Sequence, residues 1–303
     1  MSEFKKGIIY AIFAYIIWGV LPIYWNLVSE IGPFEILAHR IIWSAVFMLL
    51  LLLFTKQFPM FKAATIKLFK QKKMLFAIII AGYIITVNWG TFIWAVNNHH
   101  VLQASLGYYI NPLMSIFLAF IFLGERFSKA QWIAILFAFI GVIYMTFQVG
   151  EFPFVSILLA TSFALYGLIK KVVDIDAFSS ITIECIVTLP AALIYIFYLS
   201  QHNAVTFGMN SSSGWLLLSG AVTAVPLILF SAGARRIPLS LTGFIQYIGP
   251  TIMFFIGIFL LNELFDVDQF ITFIFIWAGI IIYSYSKYVE LNRNRKKLTK
   301  EAS

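Results

Sequence analysis

A few ionisable residues stand inside long apolar stretches and could carry chemistry there. Arg40 lies in FEILAHRIIWS, close to Glu35 and His39, and Glu184 lies in ITIECIVTLP. A charge at the centre of a membrane helix costs about 2.5–3.5 kcal/mol on insertion scales, so such residues usually face the protein interior and have partners. Arg40 is therefore a candidate anchor for an anionic or polar substrate, or one member of a gate pair with Glu35. The alternative is that its side chain extends to the lipid headgroups.

Glu35 and Glu184 form a second candidate pair. They occupy roughly matching places in the two halves of the chain, one towards each face of a membrane. A buried carboxyl group holds its proton more readily than an exposed one, as a proton carrier requires. Both residues are therefore candidates for coupling or gating. The alternative is that they are interfacial carboxylates without such a role.

Aromatic and amide side chains supply the candidate lining of a binding cavity. Polar groups in apolar helices need partners, and transporters place such groups in a cavity near the bilayer midplane. For any single Trp or Tyr, a position in the interfacial belt is the alternative. The candidate set is Trp18, Asn88, Trp89, Trp94, Gln103, Tyr108, Tyr109, Asn111, Tyr166, Gln246 and Tyr247.

Two prolines and two glutamates recur at matching places in the halves of the chain. Pro112 and Pro250 each stand in the middle of an apolar segment. A proline there removes a helical hydrogen bond and bends the helix, which predicts a hinge, although a simple packing kink is the alternative. Glu125 and Glu263 each precede a further apolar segment, where a carboxylate would cap the helix that follows.

Metal and cofactor chemistry have little support in the pattern. His99 and His100 are adjacent rather than one helical turn apart, and no carboxylate stands near them in the sequence, so a metal site is not predicted. The single cysteine, Cys185, cannot form an internal disulfide. Neither a phosphate-binding loop nor a protease-like motif is present. No cofactor is expected.

The elements that position these residues are membrane helices. The chain is 61% hydrophobic and 11% charged, whereas a soluble domain has about 25% charged residues. A spanning helix needs about 20 mainly apolar residues. We therefore predict an all-α integral membrane protein with ten transmembrane helices, over 7–28, 34–54, 74–96, 102–123, 130–148, 152–170, 179–199, 213–234, 239–261 and 269–287.

The ten segments form two sets of five. Tyr109-Ile110-x-Pro112 recurs 138 positions later as Tyr247-Ile248-x-Pro250, and the flanking Phe, Gln and Gly positions also match without a gap. Such a match indicates an internal repeat. Because five is odd, the two halves must enter the membrane from opposite sides, as in many secondary transporters. The predicted units are a first repeat over 5–148, a second over 152–288 and a basic tail over 289–303.

The distribution of basic residues predicts the orientation. With the N-terminus inside, every Lys and Arg of the 21 except Arg40 falls in an inner segment, and such residues favour the cytoplasmic side. We therefore expect a multi-pass cell-membrane protein with both termini in the cytoplasm. The net charge of +8 fits contact with an anionic inner leaflet, rather than nucleic acid, which needs a folded basic surface. Residues 55–73 are predicted to include an interfacial helix.

Three long blocks of the sequence are specific enough for comparison: FEILAHRIIWS, NWGTFIWAVNNHHVLQASLGYYINPL and AVPLILFSAGARRIPLSLTGFIQYIGP. With these blocks the chain resembles, from about Lys5 to Tyr288, the RarD-type EamA-domain proteins of the drug/metabolite transporter superfamily. The resemblance implies two EamA repeats, ten helices and a bacterial cytoplasmic membrane. It also implies a central path, with Arg40 outside its main lining. The lining residues it implies are Trp18, Asn88, Trp89, Tyr108, Tyr166 and Gln246.

The predicted function is secondary transport of small organic metabolites or drugs, in the outward direction, by alternating access of the inverted halves. A membrane-embedded enzyme acting on a lipid-linked substrate is the first alternative, although no set of catalytic groups is visible in the sequence. A membrane sensor without transport activity is the second.

Overall fold

The fold is known from a computed structural model, which describes residues 1–98, 100–150, 152–208, 211–260 and 267–301. His99 and Glu263, both singled out in the sequence, lie outside the described residues. The regular structure of the described part is helical throughout. Its helices are α1 (Glu3–Asn26), α2 (Pro33–Phe54), α3 (Phe58–Lys70), α4 (Lys72–Asn97), α5 (Val101–Phe122), α6 (Lys129–Val149), α7 (Phe154–Val172), α8 (Ala177–Gln201), α9 (Ser211–Ala234), α10 (Leu239–Gln246), α11 (Ile248–Phe259) and α12 (Val267–Glu301).

Ten stretches of the described chain are long and apolar enough to cross a membrane. The short helices α10 and α11 together form one of them, over Leu239–Phe259, and the spanning part of α12 ends at Glu290. The predicted all-α membrane fold with ten spans is therefore confirmed. Helix α3 lies outside this set and falls within the segment predicted to be interfacial.

Local sequence signals begin and end these helices. The Ser2 hydroxyl accepts a hydrogen bond from the backbone N–H of Lys5 at the start of α1. At the start of α6, Ser128 and Gln131 form a reciprocal capping box, which satisfies backbone N–H groups that have no partner within the helix. Gly150 ends α6 in the left-handed conformation, with φ of 74°, which glycine adopts without steric penalty.

Helices of each half pack against helices of the other half in a symmetric way. Helix α1 packs against α9, α10 and α11, and its counterpart α7 packs against α4 and α5. In the same way, α2 packs against α9 and α4 against α8. Since α4 corresponds to α9 and α5 to α10–α11, these pairings are those of two inverted five-helix repeats about a pseudo-two-fold axis in the membrane plane.

Matching glycines allow close packing in two of these helix pairs. Gly82 of α4 and Gly220 of α9 are 138 positions apart. A Cβ atom on Gly82 would lie 3.3 Å from the carbonyl oxygen of Glu184, and one on Gly220 would collide with the backbone of Trp43. The absence of a side chain thus allows α4 to pack closely on α8, and α9 on α2, at equivalent places.

Two ends of the helix bundle are distinguished by charge. We call the end where α1 begins the basic end, and the end where α1 stops at Asn26 and α2 starts at Pro33 the opposite end. The basic end holds Lys5, Lys6, Lys67, Lys171, Arg235 and Arg236.

Helix α3 is fixed to the basic end by apolar and polar contacts. Leu68 is fully buried in a cluster with Ile175 and other apolar side chains. The ammonium group of Lys67 lies 2.7 Å from the Asp174 carboxylate, which also accepts a hydrogen bond from Arg235 at 3.0 Å. The hydrogen bond from Lys67 lowers the pKa of this exposed carboxyl group, and the nearby positive charges lower it further.

Candidate binding cavity

A cavity of about 200 Å³ lies between the two halves of the protein. Both repeats contribute to its wall, through α1, α2, α4 and α5 of the first and α7, α10 and α11 of the second. The lining residues are Tyr15, Trp18, Leu21, Pro22, Trp25, Arg40, Asn88, Trp89, Phe92, Ala104, Gly107, Tyr108, Asn111, Leu159, Phe163, Gln246, Gly249, Pro250 and Met253.

The cavity occupies the middle of the bundle and the half towards the opposite end. On α1, for example, the lining residues run from Tyr15 to Trp25, away from the start of the helix at Glu3. Towards the basic end the space is filled by close helix packing, since a Cβ atom on Gly7 would lie 2.6 Å from the Cβ of Arg236. An ion pair of 2.8 Å between Glu3 and Arg236 joins the two halves there. The basic end is thus closed.

Arg40 points into this cavity from α2. Its guanidinium carbon lies 4.5 Å from the ring centroid of Trp25 and 4.3 Å from that of Trp89, within the range of a cation–π interaction. Its Nε donates a hydrogen bond of 3.1 Å to the Thr223 hydroxyl. The resemblance to known relatives implies that Arg40 lies outside the main lining, whereas the structure includes it in the cavity wall.

An aromatic layer forms the floor of the cavity. The Trp18 ring lies 5.6 Å from Phe163 and 5.7 Å from Phe230. Beside this layer, the Tyr15 hydroxyl lies 3.4 Å from the Gln246 amide oxygen, a contact between the first and second halves. These side chains separate the cavity from the packed basic half of the bundle.

The amide groups of the wall are held by neighbours in the fold. The Asn88 amide nitrogen donates to the Leu159 carbonyl at 2.9 Å and to the Ser162 hydroxyl at 2.8 Å. The Asn111 oxygen accepts from Ser115 at 3.4 Å. Because the amide orientations are fixed, the wall presents defined polar groups among aromatic rings.

The structure brings together most of the candidate residues and separates the others from the cavity. Tyr109, Tyr166 and Tyr247 are buried in the packed core, where the Tyr247 hydroxyl donates to the Tyr109 carbonyl at 3.2 Å. Pro112 also lies outside the lining. The candidates in the wall are Trp18, Arg40, Asn88, Trp89, Tyr108, Asn111, Gln246 and Pro250.

Glu35 is bound to a connecting segment rather than to Arg40. Its carboxylate accepts hydrogen bonds from the backbone N–H groups of Thr206 and Phe207, at 2.8 and 3.2 Å, and from the Thr206 hydroxyl. One of its oxygens lies 3.8 Å from His39. Glu35 therefore ties α2 to the connection between α8 and α9.

Glu184 belongs to a buried polar cluster between α7 and α8. Its carboxylate contacts the Lys170 ammonium group and accepts hydrogen bonds from Tyr166 at 3.1 Å and Ser180 at 3.0 Å. Lys170 is only 1% exposed. The sequence pattern places Lys170 with the cytoplasmic loop charges, because nothing in it distinguishes Lys170 from Lys171 next to it.

A second cavity, of about 20 Å³, lies between Glu184 and the residues that contact Arg40. Glu184, Thr188, Ser44 and Thr223 are among its lining residues, as is Trp89, which also lines the large cavity. Thr223 is the residue that holds the Arg40 side chain. Neither Thr223 nor Trp25 has a distinguishing signal in the sequence, and only the fold places them here.

The two matching prolines differ in their effect on the helix. Helix α5 continues through Pro112, whereas the corresponding span is interrupted at Tyr247, between α10 and α11. A proline leaves the carbonyl four residues earlier without its helical N–H partner. The residues concerned, Tyr108 and Gln246, both line the cavity.

Glu125 caps a helix in the other half of the protein. Its carboxylate accepts hydrogen bonds from the backbone N–H groups of Leu239 and Ser240 at the start of α10, at 2.7 and 3.3 Å. The expectation that it caps α6, which follows it, is therefore wrong, since Ser128 takes that place.

Comparison with known proteins identifies the fold family. The model of the EamA-like transporter family matches the chain twice, over residues 5–147 and 153–285. The chain belongs to the EamA-like transporter family. Among its EamA relatives, Protein RarD of Salmonella typhi is 42% identical over 284 residues, which cover 93% of this chain and 95% of the relative. The uncharacterized transporter YojE of Bacillus subtilis is 42% identical over 288 residues, covering 94% and 96%.

The fold is also similar to that of a solved crystal structure. It matches with a TM-score of 0.71 at 14% sequence identity and covers 92% of this chain and 98% of its own. The twofold family match and the ten spans together make this EamA protein a multi-pass membrane transporter, whose two family domains correspond to the inverted repeats.

Proposed function

We propose that this protein is a secondary transporter that moves small organic molecules out of a bacterial cell by alternating access. The observation that carries the proposal is the cavity between the two repeats, which is closed at the basic end by packed helices and by the Glu3–Arg236 ion pair. Inverted repeats that enclose such a site can exchange conformations and move the opening from one side to the other.

The proposed orientation puts the basic end in the cytoplasm of the cell. Lys and Arg are retained on the cytoplasmic side of short loops, and the basic tail of α12 would meet the anionic inner leaflet. With this orientation, we propose that the structure represents an outward-facing state, in which the cavity lies on the external side of the aromatic floor.

The wall residues are proposed to have distinct roles. Trp18, Trp89 and Tyr108 provide apolar surface, and Asn88, Asn111 and Gln246 provide hydrogen bonds to the substrate. Tyr109, Tyr166 and Tyr247 support the wall from behind. Pro112 and Pro250 are proposed hinges, and the interruption of the helix at Tyr247 favours this role for Pro250.

Glu184 is the favoured coupling residue, because Glu35 is fixed by backbone hydrogen bonds whereas Glu184 lines a small cavity together with Ser44 and Thr223. The groups that face Glu184 are Lys170 and Tyr166 from α7 and Ser180 from its own helix. Exchange of a proton within this cluster would connect substrate movement to a proton gradient.

Proteoliposomes containing the purified protein test the function. A panel of labelled metabolites and drugs is measured for uptake and efflux, with and without a pH gradient, against empty vesicles. We expect at least one solute to move in a protein-dependent way, and Asn88→Ala to reduce its transport. A protein that moves no solute in either direction but converts a lipid-linked substrate would instead be a membrane enzyme.

A further inference from the structure

We propose that Arg40, together with Trp25 and Trp89, forms an anion-binding subsite, and that the ligand of this cavity is a small carboxylate with an aromatic or other flat apolar body. The inference rests on the proposed function only in treating that ligand as the transported substrate. Binding itself can be measured without transport.

The first argument is the charge balance of the cavity. Among the residues that the structure describes, no carboxylate forms an ion pair with Arg40, and the carboxylate closest to it in sequence, Glu35, is bound to Thr206 and Phe207. The lining, as far as the described residues form it, includes no Asp or Glu. An uncompensated cation in a low-dielectric region is costly, and a bound anion would compensate it.

The second argument is the geometry of the guanidinium group. Its Nε is already used by Thr223, which fixes the side chain, and among the described residues no hydrogen bond takes the two terminal nitrogens, which leaves them for a ligand. Those nitrogens form a rigid fork that matches a carboxylate in a bidentate arrangement. The Trp25 and Trp89 rings lie against the group, and an indole ring accepts no conventional hydrogen bond from it.

The third argument is the size and surface of the remaining space. An engineered apolar cavity of about 150 Å³ holds one benzene molecule. The present cavity, of about 200 Å³, therefore has room for one ring with a short polar arm. Because the wall beyond Arg40 includes Trp18, Phe92 and Phe163, the body of the ligand would be aromatic or flat.

The position of the guanidinium group also argues against a purely interfacial role for Arg40. A side chain that extends to the headgroups leaves the protein interior, whereas this guanidinium group lies against Trp89 of α4 and binds Thr223 of α9. Both partners also line the small inner cavity. The side chain is therefore directed among the helices of both repeats.

Three probes of the same size and different charge test the subsite: phenylacetate, phenylacetamide and 2-phenylethylammonium. Binding to the full-length protein in a neutral detergent is measured by calorimetry. We expect phenylacetate to bind at least about tenfold more tightly than the amide, a difference of roughly 1.4 kcal/mol, and the cation to bind most weakly. Equal binding of the three probes, or no binding of phenylacetate by the folded protein, would overturn the proposal.

Substitutions assign the effect to Arg40. Arg40→Met should abolish the preference for the anion, and Arg40→Lys should retain only part of it, because a lysine keeps the charge but lacks the fork. Arg126→Met is the matched control, since the exposed Arg126 also lies over an aromatic ring, that of Phe120 at 5.3 Å, outside the cavity. A preference that persists in folded Arg40→Met would show that another group binds the anion.

If Arg40→Met does not fold, the comparison of the three probes on the unmodified protein still tests the subsite. Failure of the subsite and failure of the proposed function give different results. Anion binding that depends on Arg40 without movement of any solute would contradict the proposed function and leave the subsite in place. Transport of a neutral or cationic solute that phenylacetate does not inhibit would leave the function in place and overturn the subsite.

Discussion

Arg40 and Glu184 occupy equivalent positions in α2 and α8, although they carry opposite charges. Each lies seven residues after the first residue of its helix, and Ser44 and Thr188 follow them at the same spacing. The sequence pattern matches Glu184 with Glu35 instead, and only weakly. In the structure the two charges face different surroundings, since Arg40 lines the large cavity and Glu184 is paired with Lys170. Exchange of conformations between the repeats would also exchange these environments.

Removal of one member of the buried Lys170–Glu184 pair should destabilise the protein strongly. Breaking a buried pair on one side leaves an uncompensated charge and costs about 3–5 kcal/mol. We therefore expect Lys170→Met to lower the thermal midpoint in detergent more than the double substitution Lys170→Met with Glu184→Gln. Lys171→Met is the adjacent control. Additive effects of the two single changes would show that the groups are not coupled.

Cross-linking the basic end should stop transport without destroying the cavity. Glu3 and Arg236 are joined by an ion pair across the two halves, so cysteines at both positions, in a Cys185→Ala background, can be bridged by a short bis-thiosulfonate. We expect transport to fall to the level of empty vesicles and to return after reduction, whereas phenylacetate binding remains. Full transport by the cross-linked protein would contradict alternating access at this end.

Loss of the Glu125 cap should weaken the start of α10. Glu125 accepts two backbone hydrogen bonds there, and removal of a helix cap typically costs about 1 kcal/mol. We expect Glu125→Ala to lower the thermal midpoint and to increase hydrogen exchange over 239–246. Glu30→Ala, at an exposed position before α2, should leave both unchanged. Unaltered exchange in α10 would show that the cap contributes no local stability.

The attachment of α3 should persist at neutral pH and weaken only in acid. The Lys67 hydrogen bond lowers the pKa of Asp174 from its ordinary value, which is about 3.9. The contact is therefore fully present above that pH and is lost as the pH falls through the lower value of the folded state. Corrected hydrogen exchange over 58–70 should be constant from about pH 8 to 5 and increase below pH 4. Asp174→Asn should raise exchange at neutral pH and remove this dependence on pH.

The number and type of helices could be predicted because membrane helices leave a strong local signal. A run of about 20 apolar residues is visible without any tertiary contact, and the match of Tyr109 and Pro112 with Tyr247 and Pro250 defines the repeat. Part of the cavity lining could be selected in the same way, because amides and some of the aromatic residues within such runs are conspicuous.

Contacts between distant residues could not be predicted. Thr223 is one of many threonines in apolar segments, and its hydrogen bond to Arg40 depends on the packing of α9 against α2. Glu125 precedes α6 in the chain but caps α10, because the inverted repeats place the start of α10 beside it. Neither relationship has a sequence spacing that could reveal it.

Ten membrane spans in two inverted halves could be derived from the amino-acid sequence alone, since hydrophobic length and internal repetition are properties of the chain itself. Which polar residues face the shared cavity, and which are enclosed by partners, depends on how the helices pack. In the structure, Arg40 lines the cavity, Glu35 binds the connection between α8 and α9, and Glu184 is paired with Lys170. Polar and charged groups inside a membrane protein need partners, and those partners come from whichever helix the packing brings within reach.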